Sequence, residues 1–237
     1  MRMRKKKNGE ARLSAVSGYV LRDICEPMAD PAALLGMSGA PVFLEIGAGK
    51  GGFACGMAER HPEAAYFAME RVSDCVMLAA ELCAKRRDLR PDNLRFIIDT
   101  ADNLPNIFAP GSVSRIFLNF SDPWPKKGHA KRRLTYRGYL SMYIDLLADG
   151  GTLTFKTDNT GLFDFSVEEI EAIGLKPSFL TRDLHASERA GGNIMTEYEK
   201  NFSELGMKIN CLEFMKPEGF KVDPEVLKKK KTVREDG

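Results

Sequence analysis

The chain has 237 residues, of which 43% are hydrophobic and 29% charged, which suits one α/β domain of generous size and excludes wholesale disorder. No apolar run approaches the ~20 residues of a membrane helix, and none follows the basic N-terminus as a signal peptide requires, so no membrane partner and a cytoplasmic location are expected. The net charge of +2 is unevenly laid out: Arg2, Arg4, Lys5, Lys6, Lys7 and Arg12 face only Glu10, residues 221–237 are again net basic, and the middle of the chain is acidic.

Leu13, Val16, Val20, Leu21 and Ile24 fit a short amphipathic helix over Arg12–Ile24. Pro27, Pro31, Gly36 and Gly39 then mark a linker, so residues 1–40 read as a basic arm with one helix. Pro41–Ile46 reads as a buried strand that runs directly into Gly47-Ala48-Gly49-Lys50-Gly51-Gly52. A helix over Phe53–Arg60 stops at His61-Pro62. Ala65–Met69 is a second strand, ending on Glu70, and Val72–Arg87 is helical. Leu94–Ile98 and Arg115–Phe120 are the third and fourth strands. Tyr139–Ala148 is helical, Thr152–Lys156 is the fifth strand, and the helix Leu162–Ile173 can be capped by Gly174. Strands near Pro177–Leu180 and Met207–Phe214 bring the count to seven, with irregular chain between them.

Strand and helix alternate five times, which calls for a mostly parallel sheet with helices on both faces. No helical pattern separates the last two strands, so the final one can run antiparallel. The main domain spans 41–215, and 216–237 is a charged tail. Cys25, Cys55, Cys75, Cys83 and Cys211 are odd in number, widely spaced and without C-x-x-C. That speaks against a disulfide framework and a thiolate metal site, leaving reduced cysteines acting as small core residues and no metal.

Ligands of such a sheet bind beyond the carboxyl ends of its strands. Gly47, Gly49 and Gly52 fit G-x-G-x-x-G after a strand and before a helix. Phe53 stands where a phosphate-cradling P-loop needs Lys-Ser or Lys-Thr, so that reading fails. A dinucleotide or S-adenosylmethionine remains. Glu70 can accept from the ribose hydroxyls of either. Glu45, beside the strand mouth, would repel a pyrophosphate and attract the ammonium and sulfonium of S-adenosylmethionine. An NAD-dependent oxidoreductase stays open as the rival, although it leaves the basic run described next unexplained.

Asn119-Phe120-Ser121-Asp122-Pro123-Trp124-Pro125-Lys126-Lys127 puts an acid at the end of the fourth strand, in a loop that two prolines restrict. From Pro123 to Ile144 the chain carries Lys126, Lys127, Lys131, Arg132, Arg133 and Arg137 and no acid. Such a cluster suits phosphate, hence nucleic acid.

Together with His129-Ala130-Lys131-Arg132-Arg133-Leu134-Thr135, Phe155-Lys156-Thr157-Asp158-Asn159 and Thr196-Glu197-Tyr198-Glu199, these motifs resemble the bacterial tRNA (guanine-N(7)-)-methyltransferases of the TrmB type over about residues 40–215. The resemblance implies an α/β, Rossmann-like class I methyltransferase fold with a seven-stranded sheet. It further implies transfer of a methyl group from S-adenosyl-L-methionine to ring nitrogen 7 of the variable-loop guanine, position 46 of the tRNA. Cofactor-binding roles are implied for Glu45, Gly47, Gly49, Glu70, Thr100 and Asp122, with Asp122 also catalytic. Lys126, Asp158, Thr196, Glu197, Tyr198 and Glu199 would contact the target nucleotide. Gly128, His129, Ala130, Lys131, Arg132 and Arg133 would contact the RNA. Thr100 departs from the family pattern, which has an acid at that position; Asp99 is adjacent but on the other face. A methyltransferase acting on another RNA shares most of these features.

Overall fold

The computed structural model describes residues 7–22, 24–85 and 92–228. Helix α1 (Gly9–Ala15) and strand β1 (Val20–Leu21) precede the repeating unit of strand and helix: β2 (Val42–Ile46), α2 (Gly52–Arg60), β3 (Ala65–Glu70), α3 (Ser73–Lys85), β4 (Leu94–Ile98) and β5 (Val113–Asn119). Helix α4 (Arg137–Leu146), strand β6 (Leu147–Thr157), helix α5 (Thr160–Ala172), strand β7 (Phe179–Thr181), helix α6 (Glu197–Glu204), strand β8 (Asn210–Met215) and helix α7 (Pro224–Lys228) follow.

The strands form one sheet in the order β1-β4-β3-β2-β5-β6-β8-β7. All pairs are parallel except those of β8, which runs antiparallel to both β6 and β7. All five residues of β2 are buried, as a strand covered on both faces requires. Alternation along the strands sorts the core into two layers. Leu44, Ile46, Phe67 and Met69 pack with residues of α4 and α5, whereas Phe43, Tyr66 and Ala68 pack with residues of α2 and α3. The order reverses direction at β2, so the mouth between β2 and β5 is the switch point where a ligand fits.

Two expectations need correction. The sheet has eight strands rather than seven, because Val20 and Leu21 pair in parallel with Phe96 and Ile97 at its edge. The helix expected over Arg12–Ile24 therefore ends at Ala15. A helix would put its apolar residues on one face, but Leu13, Val16 and Val20 join the layer of α2 and α3 while Leu21 and Ile24 pack against the other. Second, the chain before the last strand is not irregular throughout: it contains α6. Residues 86 and 87, expected to end the helix after β3, lie outside the described residues. Cys55, Cys83 and Cys211 are buried as expected, whereas Cys75 is half-buried and Cys25 is exposed.

Candidate active site

The glycine loop is held to the end of β3. Gly47 and Ala48 donate their backbone N–H groups to the Met69 carbonyl at 2.8 and 3.0 Å. Glu70 accepts from the Gly49 N–H at 3.2 Å and from the Val72 N–H at 2.9 Å, so its carboxylate bridges the loop and the start of α3. Gly47 and Gly49 have φ of 84° and 55°, left-handed values that glycine adopts without steric cost. A Cβ at either would meet no atom within 4 Å, so the space beside the loop is open.

Glu45, Asn119 and Lys156 lie on one face of the sheet near its carboxyl edge, as the register fixes: Glu45 is level with Phe117, and Asn119 with Lys156. Glu45 is buried, and its Oε1 accepts from Asn119 Nδ2 at 3.0 Å. Burial raises its pKa to about 7; the Asn119 hydrogen bond and the Lys156 charge oppose that rise, and the Glu70 charge adds to it. Glu45 Oε2, Asn119 Oδ1 and Ser121 Oγ are buried with no partner among the described residues. Orphaned buried polar atoms are uncommon in native proteins. A cluster of them at the ends of β2 and β5, next to an open glycine loop and two carboxylates, fits a polar ligand with a cationic group. S-adenosylmethionine meets that requirement.

Strand β5 leaves the sheet through a strained turn. Phe120 and Trp124 have φ of 53° and 42°, left-handed values that cost a residue with a Cβ about 1–3 kcal/mol each. Between them stands Asp122, an exposed carboxylate 3.8 Å from the Arg71 guanidinium beyond β3. Arg133 donates to the Pro123 and Trp124 carbonyls, each at 3.0 Å, while its guanidinium lies 4.3 Å from the centre of the Phe165 ring. The Arg132 guanidinium stacks 5.0 Å over Trp124, and His129 meets that indole edge-on at 5.7 Å.

The basic run therefore does not act as one face. Lys126, Lys127, Lys131 and Arg132 are exposed, and Gly128 with them. Ala130 is half-buried against the core. Arg137 is buried, and its guanidinium and backbone N–H clasp Glu169 at 2.8–2.9 Å.

The third part of the site is a cap formed by residues 193–204. Thr196 and Glu199 make a reciprocal capping box at the start of α6: the Thr196 hydroxyl accepts from the Glu199 N–H, and the Glu199 carboxylate accepts from the Thr196 N–H. Glu199 is wholly buried. It accepts from Lys156 Nζ at 2.7 Å, lies 2.8 Å from His185 Nε2, and takes a hydrogen bond from Asn193. Burial alone would raise its pKa, but the Lys156 charge and these hydrogen bonds hold it below the ordinary carboxylate value. Lys156 Nζ also donates to Asn193 Oδ1 and the Ile194 carbonyl, both at 3.1 Å, and sits 4.9 Å over the Phe53 ring. One ammonium thus ties the cap to β6 and to the helix after the glycine loop.

Glu197 pairs with Lys50 of the glycine loop at 3.0 Å, and both are exposed. Tyr198, 56% exposed, stacks on Phe120 at 6.4 Å and tilts against Phe202 at 5.9 Å. Asp158 is half-buried at the end of β6. Thr100 is exposed after β4, and the Asp99 carboxylate is turned onto its own loop, accepting from the Thr100 N–H at 2.7 Å and Asn103 Nδ2 at 2.6 Å.

The structure thus gathers Glu45, Gly47, Gly49, Glu70 and Asp122 at one edge, with Tyr198 beside the loop that carries Asp122. It gives Glu199 and Arg133 internal partners instead of an open surface. Asn119, Lys156, Arg71 and His185 were not singled out by sequence reasoning. Two of them had a signal: Asn119 ends the apolar run Ile116–Leu118, and Lys156 follows Phe155 at the carboxyl end of β6. T-x-x-E was equally legible as a helix start.

Comparisons with known proteins identify the family and the fold. The family described as "Putative methyltransferase" matches residues 39–212. A protein of Bacillus subtilis (strain 168) named tRNA (guanine-N(7)-)-methyltransferase is 44% identical over 169 residues, covering 71% of this chain and 78% of that protein. A protein of the same name from Lachnoclostridium phytofermentans is 46% identical over 172 residues, covering 73% and 79%. Among solved structures, the 16S rRNA methyltransferase KamB aligns with a TM-score of 0.60 at 14% identity, over 80% of this chain and 95% of that one. An antibiotic-related methyltransferase aligns at 0.57 and 16% identity, over 77% and 90%. These likenesses establish the methyltransferase fold.

Proposed function

The chain belongs to the tRNA (guanine-N(7)-)-methyltransferase family, and we propose from that premise that its acceptor is the variable-loop guanine, position 46 of tRNA, methylated in the cytoplasm. It is an S-adenosylmethionine-dependent enzyme. The observation that carries the site assignment is the buried Glu45 with an orphaned oxygen beside the open glycine loop. An NAD-dependent oxidoreductase loses its ground, because the chain belongs to a methyltransferase family.

S-adenosylmethionine supplies an electrophilic methyl group on a sulfonium. Glu45 is suited to hold the cationic amino-acid end of that molecule, and Glu70 its ribose hydroxyls. Ring nitrogen 7 of guanine has a free lone pair and no hydrogen, so the chain needs no general base. What it must supply is in-line placement and a field suited to a positive charge that moves from sulfur to the purine. Asp122, between the two strained residues at the end of β5, is suited to meet that charge. Asp158 and the exposed side of Thr196–Tyr198 can meet the guanine edge and face. Glu199 supports them from beneath, because Lys156 and His185 occupy its oxygens. Lys126, Lys131 and Arg132 face outward and suit backbone phosphate.

The test is transfer of labelled methyl to unmodified tRNA, with nucleoside digestion and mapping. N7-methylguanosine at the variable-loop position is expected, and label in another nucleoside or none at all contradicts the reading. Asp122→Asn should lose turnover by about 100-fold or more while still binding S-adenosylhomocysteine.

A further inference from the structure

The basic run contains two kinds of arginine. Arg132 is exposed, whereas Arg133 is turned inward: Nε donates to the Pro123 carbonyl, Nη2 donates to the Trp124 carbonyl, and the guanidinium carbon lies 4.3 Å over the Phe165 ring of α5. Those carbonyls belong to the two residues after Asp122. One of them, Trp124, has a left-handed φ of 42° without being glycine. A non-glycine residue keeps such a conformation only where its surroundings fix it. Two prolines limit φ on either side of Trp124 but cannot hold its carbonyl. The Arg133 fork is the group that does.

We propose that Arg133 is a positioning residue for methyl transfer, which locks the Asp122 loop by bridging two consecutive carbonyls to α5, and that it is not a phosphate contact. This rests on the reading of Asp122 as the carboxylate that meets the transferred charge. A planar fork is needed for the bridge; lysine offers a single ammonium on a flexible stem and cannot span both carbonyls in the same way. A backbone-phosphate contact tolerates the exchange better, because a lysine can serve it as a point charge.

The experiment compares Arg133→Lys, Arg133→Ala, Asp122→Asn and the double variant Lys131→Ala/Arg132→Ala in the full chain, with unmodified tRNA and S-adenosylmethionine. The readouts are kcat, KM for tRNA, the salt dependence of tRNA binding and the thermal shift with S-adenosylhomocysteine. Both Arg133 variants should lose kcat by about 10–100-fold, the size expected when a reacting group is misplaced by about 1 Å. Their tRNA affinity and its salt slope should stay at the wild-type value. Guanidinium ion at a non-denaturing concentration should restore part of the kcat of Arg133→Ala. The Lys131→Ala/Arg132→Ala variant should instead flatten the salt slope by roughly one unit per lost phosphate contact.

Wild-type kcat in Arg133→Lys, with a flattened salt slope in Arg133→Ala, overturns the proposal and makes Arg133 a phosphate contact. A loss of kcat that guanidinium does not restore, accompanied by loss of the S-adenosylhomocysteine shift, also overturns it, since Arg133 then serves the fold alone. Full turnover in Asp122→Asn removes the underlying reading and this inference together. An inactive Asp122→Asn beside a fully active Arg133→Lys removes the inference alone.

Discussion

Glu45 and Glu199 are both buried carboxylates on the same side of the sheet, and they have opposite surroundings. Glu199 is saturated: Lys156, His185, Asn193 and the Thr196 N–H all reach it, and it stays ionised below the ordinary carboxylate range. Glu45 has one neutral partner, Asn119, an orphaned second oxygen, and a pKa raised to about 7 by burial. A satisfied buried charge belongs to the architecture, whereas an unsatisfied one beside open space marks where a ligand completes the structure. Lys156 stands between the two regions and neutralises the one it touches.

The largest effect that sharpens this contrast is expected at Glu199. Glu199→Ala leaves the Lys156 ammonium buried without its carboxylate, a change that costs about 3–5 kcal/mol. Urea unfolding should show that loss; a change below about 1 kcal/mol would mean that the cap does not depend on the pair.

Glu45→Gln should behave in the reverse way. It removes a poorly solvated acid, so stability at pH 8 should hold or rise, while affinity for S-adenosylhomocysteine falls by about 1.5–3 kcal/mol, the range for a hydrogen bond to a charged group. The pH dependence follows from the same carboxyl. Its pKa is higher in the folded chain than in the unfolded one, so between the ordinary carboxylate range and about 7 the folded chain binds the extra proton. The stability contributed by Glu45 therefore declines as pH rises through that window. Binding of a cationic ligand has the opposite slope, weakening about tenfold from pH 8 to pH 6 as the carboxyl gains its proton. Calorimetry at both pH values checks this. The dependence should vanish in Glu45→Gln, and its persistence there would assign it to another group.

The smallest effect is expected at the Lys50–Glu197 pair, which joins the glycine loop to the cap on the exposed side. Lys50→Ala should change stability by less than about 1 kcal/mol, because such pairs are screened by solvent. A larger loss in urea unfolding would show that the cap is held at its rim rather than by Lys156.

The parts of the molecule that were legible in the sequence share one property: their meaning is local. Strand-loop-helix around Gly47, the acid ending β3, and Asp122 just before two prolines are read from neighbours in the chain. Strand β1 was misread because two residues on a sheet edge have no period of their own, and only pairing with Phe96 and Ile97 defines them. The fate of Arg133 and Glu199 was hidden for a related reason. A basic run or a polar tetrapeptide does not reveal which side chains turn inward, and the partners that turn them, Phe165 and Lys156, are 32 and 43 residues away in the chain. Helix α6 is legible in its local pattern, since Thr196 and Glu199 form the capping pair.

The most direct test of the account is a crystal structure of the protein with S-adenosylhomocysteine. The account predicts the ligand at the carboxyl end of β2, beside Gly47 and Gly49, with its amino group against the oxygen of Glu45 that now has no partner. Density for the ligand at any other edge of the sheet, or a Glu45 carboxyl that it does not touch, would contradict the central claim.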